Sequence, residues 1–293
     1  MSSTTTPTFA PTHSPGFTSA LRGELTLARR RVMVWVSLGV WALCIAVFAY
    51  LASYLSTAGA EWYTAEQQDT LVNAMLPQGT SYYVLASLPL YGAPQLAILG
   101  AVLGASDYGR GTIRNIASRF PNRTPFITAR LANLLIIGAL AAVVTLLTSI
   151  LSSLAVAAFS GRASEFPLPS DLAVALLFIW VVTVTFIALG FAIGTLTRNT
   201  LTAVVIAVAW VLGVESLFIG MLAPVIPFLD SAQGFLPVGA TSSLAAALIP
   251  AGHQTVPALT AATTPGVSVA VLVAWAALAS TVAYVLFRRR DLA

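Results

Sequence analysis

Ser106–Arg130, reading SDYGRGTIRNIASRFPNRTPFITAR, decides the fold of this chain. It carries five arginines (Arg110, Arg114, Arg119, Arg123 and Arg130) against one acid, Asp107. Long apolar runs lie on either side, Val84–Ala105 before it and Leu131–Phe159 after it. A membrane span needs about 20 apolar residues, each rising about 1.5 Å along a helix. Both runs meet that length, so the basic stretch reads as a loop between two spans.

Working outward, the whole chain follows the same pattern. Of 293 residues, 58% are hydrophobic and 8% charged, where soluble domains carry about 25% charge. Six segments are long and apolar enough to span, approximately 32–52, 84–105, 131–159, 172–196, 201–223 and 269–287. The ten-residue alternation of a membrane β-barrel is absent. The predicted fold is all-α: a polytopic membrane protein with a six-span domain over residues 32–287.

The charges set an orientation. Every basic residue is arginine; there is no lysine. In a six-span layout thirteen of the fourteen arginines fall on one side and only Arg162 on the other. The positive-inside rule places both termini and the 106–130 loop in the cytoplasm of a cell (plasma) membrane. Glu61, Glu66 and Asp69 then fall outside. The net charge of +4 is a topology signal and not a nucleic-acid footprint. The arginine-only, Ala- and Val-rich composition points to a GC-rich bacterial genome. The single cysteine, Cys44, lies in the first span, so no intrachain disulfide forms.

Residues 1–16, rich in Ser, Thr and Pro, are expected to be disordered. Over residues 17–31, Phe17, Leu21, Leu25 and Ala28 share one helical face with Arg22, Glu24, Arg29 and Arg30 elsewhere. That predicts an amphipathic connecting helix lying on the inner leaflet, or else a plain arginine-flanked lead-in to the first span. Thr64–Gln67 is a capping-box pattern opening a short helix to about Met75. Pro89 and Pro94 make the second span irregular near its start. The outer region 224–268 is apolar yet broken by prolines, which fits short helices packed in the outer leaflet. Residues 288–293 form a cytoplasmic tail.

Catalytic patterns are scarce. His13 and His253 have no metal-ligand spacing, and no nucleophile elbow occurs. A phosphate-binding P-loop needs a lysine after its glycines, and this chain has none. It therefore carries no standard ATP site, and any ATP it uses is bound by another chain. Within the basic loop, Ile113, Ile116, Ala117 and Phe120 follow helical spacing. Gly109 and Gly111 loosen the start of that short helix, and Pro121 ends it. Thr124 and Pro125 then open the next span. Such a lever suits force transmission from a cytoplasmic partner. A solvated anchor loop binding lipid phosphates accounts for the same pattern.

The run Gly104-Ala105-Ser106-Asp107-Tyr108-Gly109-Arg110-Gly111-Thr112-Ile113-Arg114, followed by Arg123, Arg130 and Leu131, resembles the signature of type-2 ABC transporter permeases. Gly194–Thr200, Leu236-Pro237 and Phe287–Leu292 are further matches, so the resemblance covers most of the chain from about Phe17. It implies an exporter permease subunit, not itself an enzyme, paired with a second permease subunit as a homo- or heterodimer. It also implies a coupling helix between spans two and three that docks on an ATP-binding cassette subunit. Asp107, Tyr108, Arg110, Gly111, Thr112 and Arg114 would make that coupling. ATP and Mg would sit on the partner, with no cofactor bound by this chain. Asp107 stands where the family usually has Glu, and Arg130 where it often has Lys.

Glu215 lies in the outer half of the fifth span, where a charge costs about 2.5–3.5 kcal/mol on insertion scales. It is a candidate for the substrate path or the dimer seam, or else a protonated or hydrogen-bonded carboxyl packed against the broken outer helices. Gly100-x-x-x-Gly104 and Gly190-x-x-x-Gly194 permit close helix packing, with contact inside one subunit favoured over a dimer seam. Trp35, Trp41 and Trp62 read as interfacial or packing residues. The alternative to a transporter is a non-transporting membrane protein with an immunity, sensor or scaffold role.

Overall fold

A computed structural model describes residues 16–58, 60–109, 124–162, 165–249 and 262–289, with Asp107 and Gly109 described by backbone alone. Outside the described residues fall the tail before residue 16, the coupling residues Arg110, Gly111, Thr112 and Arg114, and the helix expected over 113–120. Residues 250–261 of the outer region and the closing 290–293 fall outside as well.

The described residues are helical throughout, without a strand. A short helix α1 (Phe17–Arg30) leads into the first span α2 (Val32–Thr57). The capping box opens α3 (Ala65–Met75), with the Thr64 hydroxyl accepting from the Gln67 amide and the Gln67 side chain accepting from the Thr64 amide. The second span α4 (Pro77–Ser106) runs on helically to Gly109. Next come α5 (Thr124–Ser160), α6 (Pro169–Thr197) and α7 (Thr200–Leu222). Two short helices, α8 (Pro227–Gln233) and α9 (Pro237–Ala247), precede the sixth span α10 (Pro265–Arg289). Six of these helices are long and apolar enough to cross a membrane.

The core is the pair α4 and α6, the most extensive helix contact in the molecule. Small residues make it possible. A Cβ added at Gly100 would stand 2.0 Å from the Ile187 carbonyl oxygen, and one at Gly190 would stand 2.0 Å from that of Ala97. Gly104 and Gly194 continue the same seam against Phe191 and Ala101. Backbones therefore touch directly, which gains van der Waals contact where lipid supplies no hydrophobic drive. The most apolar window of α4 is 72% buried, against 17% in α7 and α10. The second span is thus interior to the subunit, while the fifth and sixth present most of their surface outward.

Polar bonds tie the remaining spans to that pair. Trp41 on α2 donates to the Thr145 hydroxyl on α5 at 2.8 Å, and Tyr83 on α4 donates to the Ala49 carbonyl at 2.7 Å. Thr183 donates to Gly138 and Thr185 to Leu272. In the apolar interior each such group must find a partner. Trp41 is buried, whereas Trp35 and Trp62 are exposed.

The irregularity expected near Pro89 takes the form of a π turn over Leu88–Gly92, because proline has no amide to continue the α ladder. Of the two other π segments among the described residues, Ile45–Ala52 lies in α2 and Ala209–Ile219 holds Glu215. In the connecting helix Glu24, outside the arc of Phe17, Leu21, Leu25 and Ala28, is buried beside Ala20 where α1 packs on α5.

Candidate functional site

The cytoplasm-assigned end of the bundle brings together the ends of α4, α6 and α10 with the beginnings of α5 and α7. The basic loop attaches here through Tyr108 on one side and Thr124–Arg130 on the other. Asp107 lies in the last helical turn of α4. Tyr108 follows it and stacks under the Arg198 guanidinium, 5.4 Å from the ring centroid. Arg198 forms the short turn between α6 and α7, whose antiparallel packing the brief Thr197–Thr200 link had implied.

That turn is built from two residues of opposite habit. Asn199 caps α7 in the ordinary way, its side-chain oxygen accepting from the Thr202 amide at 3.1 Å. Arg198 occupies the left-handed region, φ 56°, at the end of α6. Glycine or asparagine is usual there, and for other residues the conformation costs about 1–2 kcal/mol. A side chain kept at that cost has a contact to make, and the Tyr108 ring is the contact seen. Its Nε is buried without a hydrogen bond.

Arg130, the last arginine of the basic stretch, turns inward. It is only 4% exposed. Its Nη2 donates to the Leu103 carbonyl at 2.8 Å, a second donor to a backbone oxygen inside the last turns of α4. The guanidinium also lies 5.8 Å from the Phe126 ring centroid and 5.5 Å from that of Phe191. Phe126 in turn packs on Phe287 of α10, centroids 5.5 Å apart. Arg130 therefore joins α4, α5 and α6 from inside. The sequence carried no local signal for this inward turn, since its partners Leu103 and Phe191 belong to other helices.

At the opposite end, Asp69 of α3 pairs with Arg162 beyond α5, and Asn73 accepts from the same guanidinium at 2.9 Å. The one arginine set apart from the other thirteen thus meets an acid assigned to the same side.

Glu215 lies toward this second end and is 3% exposed. Its Oε2 accepts from the Val238 amide at 2.8 Å. Leu236, at the N-cap of α9, has no side chain able to cap, and Pro237 supplies no amide. Glu215 therefore caps α9 from another helix, a carboxylate at a helix N-terminus where the backbone dipole favours negative charge. The π segment widens the helix so that residues five apart share a face. Trp210 directs its indole toward the same carboxyl, and Ser216 bonds back to the Val211 carbonyl at 2.8 Å. Oε1 has no partner with hydrogen-bond geometry.

A family model described as ABC-2 family transporter protein matches residues 20–214. No curated protein and no solved structure matches the chain. The match takes in α1, the first four spans, the basic loop and most of the fifth span, ending beside Glu215. With six helices long and apolar enough to cross a membrane among its described residues, this chain belongs to the ABC-2 family of transporter proteins as a multi-pass membrane permease.

Proposed function

We propose that this chain is the permease subunit of a bacterial ABC exporter, driven by a separate ATP-binding subunit that docks on the loop between α4 and α5. The absence of any lysine carries the division of labour, since a chain without lysine has no P-loop. Asp107, Tyr108, Arg110, Gly111, Thr112 and Arg114 form the docking element in this reading. Two such subunits pair, and the arginine-rich end faces the cytoplasm of the cell membrane.

Support comes from how the loop is anchored. Its leading edge is tied to the α6–α7 turn through Tyr108 and Arg198. Its trailing edge is tied to α4 and α6 through Arg130. In this reading a push on the loop is delivered to the most extensively packed helix pair. Interfaces between packed helices have discrete arrangements, so a small displacement at one end is passed along whole spans. Glu215 lines the path in this reading.

The test is purification of the tagged chain from its native membrane. A permease brings down an ATP-binding subunit in one-to-one ratio, and the complex hydrolyses ATP at a rate that substrate raises. Recovery of the chain without any ATPase, from membranes where the neighbouring subunit is expressed, would leave a scaffold or immunity role in its place.

A further inference from the structure

Four arginines are engaged within the bundle or at its ends. Arg130 lies on the Leu103 carbonyl, Arg162 pairs with Asp69, and Arg198 stacks on Tyr108. Arg288 bonds the Tyr284 hydroxyl and lies 5.6 Å from its ring centroid. Arg29 and Arg30 differ. They stand exposed in the last turn of α1, and among the described residues no acid pairs with either. The chain turns just after them, with Arg31 extended at φ −77° and ψ 102°. The Trp35 indole donates back across this elbow to the Arg29 carbonyl at 2.9 Å, fixing the arginine pair above the start of α2.

Below the elbow, Met33, Val36, Val40 and Leu43 are exposed. Their spacing of three, four and three puts them in one stripe down α2. Ten residues at about 1.5 Å each make it about 15 Å long, half of a hydrocarbon core about 30 Å thick. That is the depth of one leaflet. Gly39 has nothing within 4 Å of an added Cβ, so the surface beside the stripe is open as well.

We propose that this elbow holds one anionic phospholipid, its phosphate between Arg29 and Arg30 and an acyl chain along Met33, Val36, Val40 and Leu43. Guanidinium groups make strong charge-assisted hydrogen bonds to phosphate. The nearest acid along α1, Glu24, is buried against α5, so a choline or ethanolamine cation finds no counter-charge on this exposed face. The site goes beyond the transport reading and does not depend on it.

The measurement is native mass spectrometry of the purified full chain in detergent, titrated with phosphatidylglycerol or phosphatidylcholine of identical chains. The first adduct should favour phosphatidylglycerol by about tenfold or more, as two basic side chains near an anionic lipid do. Arg29→Gln/Arg30→Gln alters only exposed side chains and should abolish that preference. Arg29→Lys/Arg30→Lys keeps the charge and should keep most of it. Arg288→Gln/Arg289→Gln, at the same end, should leave it unchanged. Glycerol 1-phosphate, a head without chains, should not displace the lipid. Equal retention of the two lipids, or wild-type preference in Arg29→Gln/Arg30→Gln, would overturn the proposal. An equal loss in Arg288→Gln/Arg289→Gln would overturn it too, in favour of a diffuse positive field. Displacement by glycerol 1-phosphate would make this a free-phosphate site instead. A dimer without the adduct that the monomer carries would seat a second copy on the stripe, and the lipid assignment would again fall. None of these results bears on the ATPase co-purification.

Discussion

The Arg198 guanidinium covers the Tyr108 ring at 5.4 Å while its own backbone holds a left-handed conformation at the end of α6. Tyr108 lies in the last turn of α4 and Arg198 in the turn after α6, so this contact links the helix end that leads into the basic loop to the turn between the fourth and fifth spans. Strain and contact roughly balance. Left-handed backbone costs about 1–2 kcal/mol for a residue with a Cβ, and a cation over an aromatic face returns about 0.5–2 kcal/mol.

That balance makes stability and coupling separable. Arg198→Gly relieves the backbone and loses the stack, so its thermal midpoint in detergent should stay within a few degrees of wild type. Tyr108→Ala loses the stack without relief and should be destabilised by about 1 kcal/mol. Both Arg198→Gly and Tyr108→Ala should reduce substrate-stimulated ATP turnover in the assembled transporter. Full stimulation in both would show that the contact is structural only.

The basic loop itself is tested by Arg114→Glu. Reversing one charge on a docking element opposes whatever acidic surface it meets, and like charges at an interface cost several kcal/mol. The variant should insert normally and be recovered in normal amount, yet lose transport-coupled ATPase activity. Near-normal coupled turnover would remove this loop from the coupling role.

The glycine seam gives a prediction about the fold. A methyl group at Gly100 would stand 2.0 Å from the Ile187 oxygen, a backbone atom that cannot turn aside. Gly100→Ala must part α4 and α6, and overpacking of this kind costs about 1–3 kcal/mol. Gly39 on α2 has nothing within 4 Å of its added Cβ, so Gly39→Ala should be neutral or gain up to about 1 kcal/mol from helix propensity. Fluorescence-detected thermal unfolding of the two variants reads the difference directly.

These cases also show what was legible beforehand. Hydropathy alone marks the spans, because a lipid-crossing helix must be apolar over a fixed length. The capping box at Thr64 is local chemistry, so it too is readable from four residues. Arg130 was not, because whether an arginine snorkels to water or turns inward depends on carbonyls and rings of other helices, here Leu103 and Phe191. The burial of Glu24 was hidden for the same reason: α5, not the spacing within α1, decides which residues are covered. Glu215 stood out as an expensive residue, but its partner at Val238 lies 23 positions away, in a helix whose docking the sequence does not specify.

Orientation supplies the last prediction. Thirteen arginines gather at one end of the six-span layout, while the remaining one, Arg162, joins Asp69 at the other. The positive-inside rule then requires the loop between α4 and α5 to be cytoplasmic. Cys44 is the only cysteine, so Cys44→Ala gives a background in which each new thiol reports alone. Ser118→Cys in that background should react with a membrane-impermeant maleimide only in inside-out vesicles, and Ser170→Cys only in intact cells. Tyr108 and Arg198 lie at the same end as position 118, so the two labelling patterns together fix the side from which any ATP-binding subunit approaches. Labelling of position 118 from intact cells would put the loop outside, where no ATP-driven partner could reach it, and the docking assignment would fall with it.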